Sequence, residues 1–363
     1  MQGLQNIGST CAVNSLIQII CREPHLRNTL ITAELPEDSL SGHLKEILHL
    51  MHNENKSLVP GKFVQKLFSS LEGIFRLGEQ LDIGELWIFL FDKIASELNT
   101  MPNVSYDLPP LLQDTQKSQE IELGTTYKDD LEYKMALIQC PELRNKYEYN
   151  LRKFNQHKSS KWLESCQGFY LNIIRCQKCN NVLYNFEPFT SISLDIPEDH
   201  SCPSITMMLR DFLKEEKRQG DWKCSKCSKC CEHTEYTKTT KIWKIPPVII
   251  FIIKRFSHIN SKNTKPININ KLMSFKRGSV LSNLHSDVNF TLSSIGMHFG
   301  SLQGGHYCAL CNTEEDHSKI ADYEKIIFYD DLNITSIPKE KFIDMTENNS
   351  DGYMIVYSNS SPM

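Results

Sequence analysis

The sequence predicts an α+β protein, in which a mainly helical first part precedes a mainly antiparallel β second part. Two patterns support this class. Apolar residues recur at helical spacing through the first 100 residues, and runs of β-branched and aromatic residues dominate from Gly168 onward. The 363 residues suffice for two or so compact domains, or for one large domain with subdomains.

The helices of the first part are predicted from apolar periodicity. An apolar segment of helical length opens at Asn14, and apolar residues also recur at helical spacing over 44–51 and 86–94. A short helix is expected near 143–154. Prolines at positions 102, 109 and 110 predict a loop over 103–114.

The strands of the second part are predicted from two different patterns. The run 248–253 is continuously apolar, which indicates a strand buried on both faces, whereas residues 190–196 alternate between apolar and polar. Shorter runs predict further strands over 169–174, 290–292, 307–310, 325–328 and 353–357.

Charge and hydropathy exclude several classes of protein. Lys and Arg total 40 against 44 Asp and Glu, and the formal charge of −4 argues against a protein that coats nucleic acid. The sequence has no apolar run of the roughly 18 to 20 residues that span a bilayer. Its first residues lack the charged-then-apolar layout of a secretory signal. We therefore expect an intracellular protein, cytoplasmic or nuclear, with neither a nucleic-acid nor a membrane partner.

The thirteen cysteines are grouped in a way that indicates a metal site. An odd number without a secretory signal favours reduced thiols over a disulfide framework. Two Cys-x-x-Cys turns, Cys176 with Cys179 and Cys224 with Cys227, predict a closed tetrahedral Zn²⁺ site, which is structural because it has no open position. Cys227 with Cys230 forms an equally good second pair, so the sequence leaves the choice between Cys224 and Cys230 open.

A second set of residues, far apart in sequence, has the types needed for a nucleophile and its base. Cys11 stands where the first apolar helix begins, and a helix N-terminus favours the thiolate. His306 follows two glycines at the mouth of a predicted strand, and Asp330 and Asp331 end the next strand. On position alone, a buried inert cysteine is commoner than a nucleophile and two aspartates after a strand are more often a turn, and an exposed loop histidine would look similar.

Seven segments in a fixed order resemble those of the ubiquitin-specific proteases. Residues 3–18 (GLQNIGSTCAVNSLIQ) resemble the cysteine box of that family, and Gly305-His306-Tyr307 with 329–331 (YDD) resembles its histidine box. Residues 80–86 (QLDIGEL) are similar to its Gln-x-Asp-x-x-Glu segment. The other similar segments are 186–189, 193–197, 243–249 and 254–256. The resemblance spans residues 3 to 357, and the order of the segments carries it more than any single motif.

The resemblance implies a papain-like cysteine protease hand formed by one catalytic domain over 1–363. A mainly helical thumb would occupy 1–165, fingers with a zinc ribbon 166–245, and an antiparallel β palm with the histidine box 246–363. It also implies a thiol-dependent deubiquitinase, which hydrolyses the isopeptide bond after the C-terminal glycine of ubiquitin. Ubiquitin or ubiquitinated proteins would be its partners, and it would act as a monomer.

The resemblance also implies roles for individual residues. Cys11 would attack the carbonyl carbon, and His306 would take up the thiol proton and return it to the departing lysine amine. Asp330 would orient the imidazole, with Asp331 as a substitute, and Asn6 would donate its side-chain amide to the oxyanion. A structural zinc would be held by four cysteines: Cys176, Cys179, Cys224 and Cys227.

The sequence departs from the family pattern at two places. Ala12 and Val13 replace the aromatic residue and the Met or Leu that usually follow the nucleophile. Leu81, Ile83 and Gly84 depart from a segment that is usually more polar. Three alternatives remain open: a protease for a ubiquitin-like modifier, a non-catalytic ubiquitin-binding module, and a zinc-ribbon protein that binds nucleic acid.

Overall fold

A computed structural model describes residues 2–53, 58–71, 76, 78–99, 130–155, 159–220, 222–224, 226–227, 235–256, 261–282, 286–301, 304–314 and 320–359. The helices in these ranges are α1 (Cys11–Arg22), α2 (Pro24–Thr32), α3 (Leu40–Asn53), α4 (Gly61–Ser70), α5 (Ile83–Glu97), α6 (Asp130–Gln139), α7 (Pro141–Asn155), α8 (Lys161–Cys166), α9 (Ile205–Phe212) and α10 (Lys339–Glu347).

The strands are β1 (Gly168–Cys176), β2 (Val182–Phe189), β3 (Ile192–Leu194), β4 (Glu216–Gln219), β5 (Glu235–Lys244), β6 (Val248–Ile253), β7 (Leu272–Phe275), β8 (Val288–Gly300), β9 (Gly305–Asn312), β10 (Ile326–Asp330), β11 (Asn333–Ile337) and β12 (Gly352–Asn359). No helix in the described part of the chain is long and apolar enough to cross a membrane.

Helix α1 is the central helix of the first part. Its residues from Cys11 to Cys21 are all buried, because it packs against β8, β9 and β10 and also against α2 and α5. Its polar side chains hold the N-terminal segment of the chain. The amide of Gln18 donates to the backbone carbonyl of Gln2 at 2.8 Å, and that of Asn14 donates to the carbonyl of Leu4 at 3.3 Å. The helix and this segment therefore form one unit.

Helices α2 and α5 begin at acidic residues that cap them. The Oδ1 atom of Asp82 accepts hydrogen bonds from the backbone N–H groups of Gly84 and Glu85, which have no partner inside the helix. Glu23 caps α2 in a fully buried position, where its Oε1 atom accepts from the Ser358 hydroxyl at 3.0 Å. That bond ties α2 to β12, more than 300 residues away in sequence.

The largest sheet has eight strands, in the order β11-β10-β9-β8-β12-β6-β3, with β7 paired to β8. Its pairs are antiparallel except β3 with β6. Both faces are covered. One carries the core shared with α1 to α5 and α8, in which Trp87, Phe91 and Trp162 stack together, and α9 and α10 pack on the other. This explains why all six residues of β6 are buried.

A second sheet of four antiparallel strands has the order β2-β1-β5-β4. Its core is a separate cluster that includes Phe169, Phe186 and Trp243, against which α6 and α7 pack through Leu137 and Leu143. The two sheets thus have their own apolar cores, and the strands that bear His306 and Asp330 lie in the larger one.

The α+β class predicted from sequence is confirmed, and so are the buried strand β6 and the helices at 11–22, 40–53, 83–97 and 141–155. The alternation over 190–196 gives a strand of only three residues, because β3 contacts one neighbour, β6, and then leaves the sheet. The loop predicted over 103–114 lies outside the described residues.

Candidate active site

Cys11 is the first residue of α1, and the turn before it is fixed by Asn6. Gly8 and Ser9 adopt left-handed backbone conformations, with φ of 114° and 54°. The side-chain carbonyl of Asn6 accepts hydrogen bonds from the N–H groups of Gly8 at 3.2 Å and Thr10 at 3.1 Å. Asn6 therefore determines how the chain enters the helix and where the thiol lies.

The thiol of Cys11 is buried, with 7% of the residue exposed. Burial raises the pKa of this thiol above its ordinary value and outweighs a hydrogen bond from the backbone of Tyr307, which acts in the opposite direction; the Asp331 carboxylate raises it further. The position at a helix N-terminus predicts a favoured thiolate, and this prediction is wrong in its net direction because desolvation dominates. The thiol consequently needs a base.

His306 and Asp330 form the hydrogen-bonded pair expected of such a base. His306 lies at the start of β9 and Asp330 at the end of the adjacent β10, and the His306 Nε2 atom is 2.6 Å from Asp330 Oδ1. About 40% of each side chain is exposed. Helix α1 packs on β9, and the backbone of Tyr307, the residue after His306, is close enough to the Cys11 thiol to oppose the rise of its pKa. The thiol and the His306–Asp330 pair therefore lie at one place.

Asp331 points away from His306 and binds the N-terminal segment instead. Its Oδ2 atom accepts from the Asn6 amide at 2.9 Å and its Oδ1 atom from the Asn14 amide at 2.7 Å. Its backbone carbonyl accepts from the N–H of Leu4 at 2.9 Å. A left-handed backbone, with φ of 51°, allows this residue to leave the strand and make all three bonds. Each of the five predicted active-site residues thus belongs to one constellation.

Gly305, just before His306, is enclosed by two residues whose roles the sequence did not predict. The side-chain amide of Gln80 donates to the Gly305 carbonyl at 2.9 Å and accepts from its N–H at 3.1 Å. A Cβ atom on Gly305 would come within 2.0 Å of the buried His298 ring, whereas one on Gly304 would meet nothing within 4 Å. His298 has no sequence signal, because its contact depends on the pairing of β8 with β9.

Three of the predicted zinc ligands come together at one end of the four-stranded sheet. One ligand atom from each of Cys176, Cys179 and Cys224 lies within 4.8 Å of the other two, and the sulfurs of Cys179 and Cys224 are 3.5 Å apart. The half-buried Cys227 packs against this cluster. Three thiols this close fit the ligand set of a tetrahedral zinc. Cys230 lies outside the described residues.

Comparison with known proteins decides the family. The model of the ubiquitin carboxyl-terminal hydrolase family matches residues 2–357, which is nearly the whole chain.

The chain belongs to the ubiquitin carboxyl-terminal hydrolase family.

Curated members of the family resemble it at modest identity. It is 26% identical over 326 residues to ubiquitin carboxyl-terminal hydrolase Usp2 of Drosophila melanogaster, covering 85% of this chain and 31% of that protein. It is 25% identical over 345 residues to ubiquitin carboxyl-terminal hydrolase 4 of Saccharomyces cerevisiae, covering 85% and 35%. The chain therefore spans about a third of the length of these relatives.

Solved structures share the fold across 99% of the chain. The yeast SAGA DUB module with an Sgf73 mutant aligns with a TM-score of 0.67 and 20% identity, covering 68% of that chain. A SAGA DUB module of Ubp8, Sgf11, Sus1 and Sgf73 bound to monoubiquitin aligns with a TM-score of 0.65, again at 20% identity and over 69% of that chain.

The departures from the family pattern lie in the apolar core. Ala12, Val13, Leu81 and Ile83 are each at most 2% exposed, so they serve packing. A Cβ atom on Gly84 would approach the Asp82 carboxylate to 3.0 Å and a methyl group of β6 to 3.3 Å. In this member of the family, α5 therefore lies very close to the sheet.

Proposed function

We propose that the chain is a cysteine-type deubiquitinase, which hydrolyses the isopeptide bond after the C-terminal glycine of ubiquitin. One observation carries the proposal: the 2.6 Å bond between His306 and Asp330, next to the helix end that bears Cys11, occurs in a chain that belongs to this family. A thiol, an imidazole and a carboxylate that orients the imidazole form the set needed for nucleophilic catalysis.

The reaction begins with a proton transfer from Cys11 to His306. Because Nε2 bonds Asp330, Nδ1 is the ring nitrogen that accepts the thiol proton. The sulfur then attacks the carbonyl carbon of the terminal glycine, and His306 returns the proton to the lysine amine as the carbon–nitrogen bond breaks. Water, deprotonated by His306, then hydrolyses the thioester and releases the ubiquitin carboxylate and the thiol.

Asn6 would stabilise the oxyanion formed in both steps. Its amide nitrogen carries two hydrogens, of which one is donated to Asp331. The second would be donated to the oxyanion, and the loss of one such donor typically lowers the rate by about 10²–10³. Asp331 would act as a positioning residue, because it holds Asn6 and Asn14 together.

A structural zinc completes the proposed fold. Cys176, Cys179, Cys224 and Cys227 would hold the ion, which would supply folding energy and no chemistry. The four-stranded sheet would be the fingers of a papain-like hand. The proposed domain limits are 1–165 for the thumb, 166–245 for the fingers and 246–363 for the palm. Helices α6 and α7 of the thumb range pack on the smaller sheet, and β3 and α9 of the fingers range belong with the larger sheet.

Ubiquitin is the substrate favoured by these similarities, since one neighbour of the same fold is bound to monoubiquitin. We propose that one copy of the chain suffices for activity, because a single chain supplies Asn6, Cys11, His306 and Asp330 together with the positioning residue Asp331.

A ubiquitin probe with a C-terminal electrophile tests the function. The chain should become labelled, and Cys11→Ala should abolish both labelling and hydrolysis of a fluorogenic ubiquitin conjugate while ubiquitin binding remains measurable. Cys140→Ala, which changes a half-buried thiol between α6 and α7, is the matched control and should leave labelling unchanged.

A panel of electrophile-tagged ubiquitin-like proteins completes the experiment. Preferential labelling by one of them would identify that protein, instead of ubiquitin, as the modifier that the enzyme recognises. Ubiquitin binding without labelling of the wild-type chain would indicate a non-catalytic binding module.

A further inference from the structure

A third side chain that can bind a metal ion, that of Cys308, lies beside the proposed catalytic pair. His306 and Cys308 are two residues apart on β9, so both side chains lie on the same face of the strand. Tyr329 is opposite Ala309 in the register, which brings the next residue, Asp330, level with Cys308. One ligand atom from each of His306, Cys308 and Asp330 lies within 4.8 Å of the other two.

These three side chains are a chemically suitable set for Zn²⁺. Thiolate, imidazole and carboxylate are its usual protein ligands, and three of them leave a fourth position for water. The three groups already converge, because each has a ligand atom within 4.8 Å of the other two. Cys308 is buried while His306 and Asp330 are each about 40% exposed, so an ion can approach from the side of the imidazole and carboxylate. The reaction described above makes no use of Cys308.

We propose that His306, Cys308 and Asp330 form an inhibitory Zn²⁺ site, which reversibly switches off the enzyme. This inference rests on the proposed function. The ion would take the Nε2 atom of His306, which in the absence of metal bonds Asp330.

Inhibition follows from the tautomer that the metal imposes. A neutral imidazole carries one proton, and metal at Nε2 leaves that proton on Nδ1. Nδ1–H is a donor and cannot accept the proton of Cys11. Binding releases the thiol proton of Cys308 to solvent, since thiolate is the ligand, and no oxidation or reduction takes place.

A metal titration tests the site without turnover. The chain with one zinc in its cysteine cluster should take up one further equivalent of Co²⁺. The Co²⁺ is detected by its thiolate-to-metal charge-transfer absorbance. Cys308→Ser and Cys308→Ala should each weaken this binding by about 10- to 100-fold, a loss typical even for outer partners of a metal. Cys311→Ser is the matched control: this cysteine is also buried on β9 but lies on the opposite face.

Inhibition is measured with a fluorogenic ubiquitin conjugate and added Zn²⁺, relative to the zinc-free activity of each variant. The wild type and Cys311→Ser should lose activity and recover it with a chelator, and both Cys308 variants should need about 10- to 100-fold more Zn²⁺ for the same inhibition.

Equal inhibition of the wild type and both Cys308 variants would overturn the proposal. Loss of the Co²⁺ band in Cys11→Ala with its retention in Cys308→Ser would also overturn it, because the ion would then sit on the nucleophile. A chain that binds Co²⁺ through Cys308 but does not cleave the ubiquitin conjugate would refute only the proposed function.

Discussion

Two adjacent aspartates serve different parts of the candidate site. Along a strand, neighbouring side chains point to opposite faces, so only one of Asp330 and Asp331 can easily meet His306. The bond to His306 is made by Asp330, and Asp331 instead holds Asn6 and Asn14. The adjacent carboxylates therefore bind different groups, one the proposed base and one the proposed donor to the oxyanion.

We expect Asp330→Ala to lower kcat by about 10²–10⁴, the range associated with an oriented acid–base group, with little change in ubiquitin affinity. Asp331→Ala should cost less, because it removes hydrogen bonds to Asn6 and Asn14 but leaves the imidazole oriented. Steady-state kinetics on a fluorogenic ubiquitin conjugate measures both. The reverse order would move the orienting role to Asp331.

A double-mutant cycle distinguishes a positioning role of Asp331 from general destabilisation. If Asp331 acts through Asn6, the losses of kcat in Asn6→Ala and Asp331→Ala should not add in the double variant. Additive losses would mean that Asp331 acts independently of Asn6.

The two glycines before His306 should respond very differently to substitution. Gly305→Ala should lower kcat/KM by about 10²-fold, because its Cβ atom would collide with the His298 ring and displace the neighbouring base. Gly304→Ala is the matched control for steric fit inside the protein, since its Cβ atom meets nothing within 4 Å. Activity measured with a small ester substrate tests the displacement of the base without ubiquitin in the site. Equal losses of this activity in both variants would refute the role of His298.

The residue types at the site could be predicted from sequence, but several contacts could not. Strand alternation correctly indicated that one aspartate alone would meet His306. The bonds from Asp331 to Asn6 and Asn14 could not be predicted, because they depend on a left-handed backbone at Asp331 and on how α1 packs against β10. The direction of the pKa shift of Cys11 could not be predicted for a similar reason, because the burial of the thiol depends on distant strands.

At the scale of elements, the cap of α2 places an ionisable group in the core. Burial raises the pKa of the Glu23 carboxyl, and the hydrogen bond from Ser358 only partly opposes this. The folded chain thus retains the proton at pH values where the unfolded chain has lost it. The stability from this group is full below the unfolded pKa and is lost as pH rises through the folded pKa.

We therefore expect Glu23→Gln to become progressively more stable relative to the wild type as the pH rises above about 5, because the amide keeps an acceptor for the cap without a charge. Chemical denaturation at several pH values gives the free energy of unfolding of both proteins. Glu97→Gln is a control at a carboxylate that also accepts backbone and hydroxyl hydrogen bonds. A constant difference between Glu23→Gln and wild type across this range would contradict the prediction.

The elements that were not predicted from sequence are those that depend on their neighbours. Strand β4 has four exposed residues (EKRQ) and no apolar pattern, and it exists only by pairing with β5. Helix α9 is eight residues long, and its buried side chains contact the larger sheet. By contrast, α1, α5 and β6 have strong apolar patterns of their own, and these were predicted.

At the scale of the whole molecule, the two sheets have separate cores and the proposed zinc lies at one end of the smaller sheet. Most packing around the catalytic groups is within the larger sheet and α1. Local stability can therefore differ between the two parts. The order of the elements along the chain indicated this division, but the placement of β3 in the larger sheet could not be read from its three residues.

Removal of zinc should loosen the smaller sheet first. Chelation, or Cys176→Ser, should increase hydrogen exchange in β1, β4 and β5 while α1, β8 and β9 keep their protection. Mass spectrometry of exchanged peptides, with elemental analysis for about one zinc per chain, measures both. Cys202→Ser is the control, since the thiol of that half-buried cysteine hydrogen-bonds the backbone carbonyl of Glu347, at the end of α10. Simultaneous loss of protection in both sheets would show that the zinc supports the whole fold.

The candidate site brings together Cys11 and Asp330, which are made at very different times during synthesis of the chain. Cys11 is made before the strand that bears Asp330, which follows more than 300 residues later. At about 5–20 residues per second, the nascent chain holds its thiol without a base for roughly 15 to 65 s. Until then α1 also lacks β8, β9 and β10, the strands on which it packs. A truncated product would accordingly present an unactivated thiol on an uncovered apolar helix, so incomplete translation yields a substrate for chaperones and not a hydrolase.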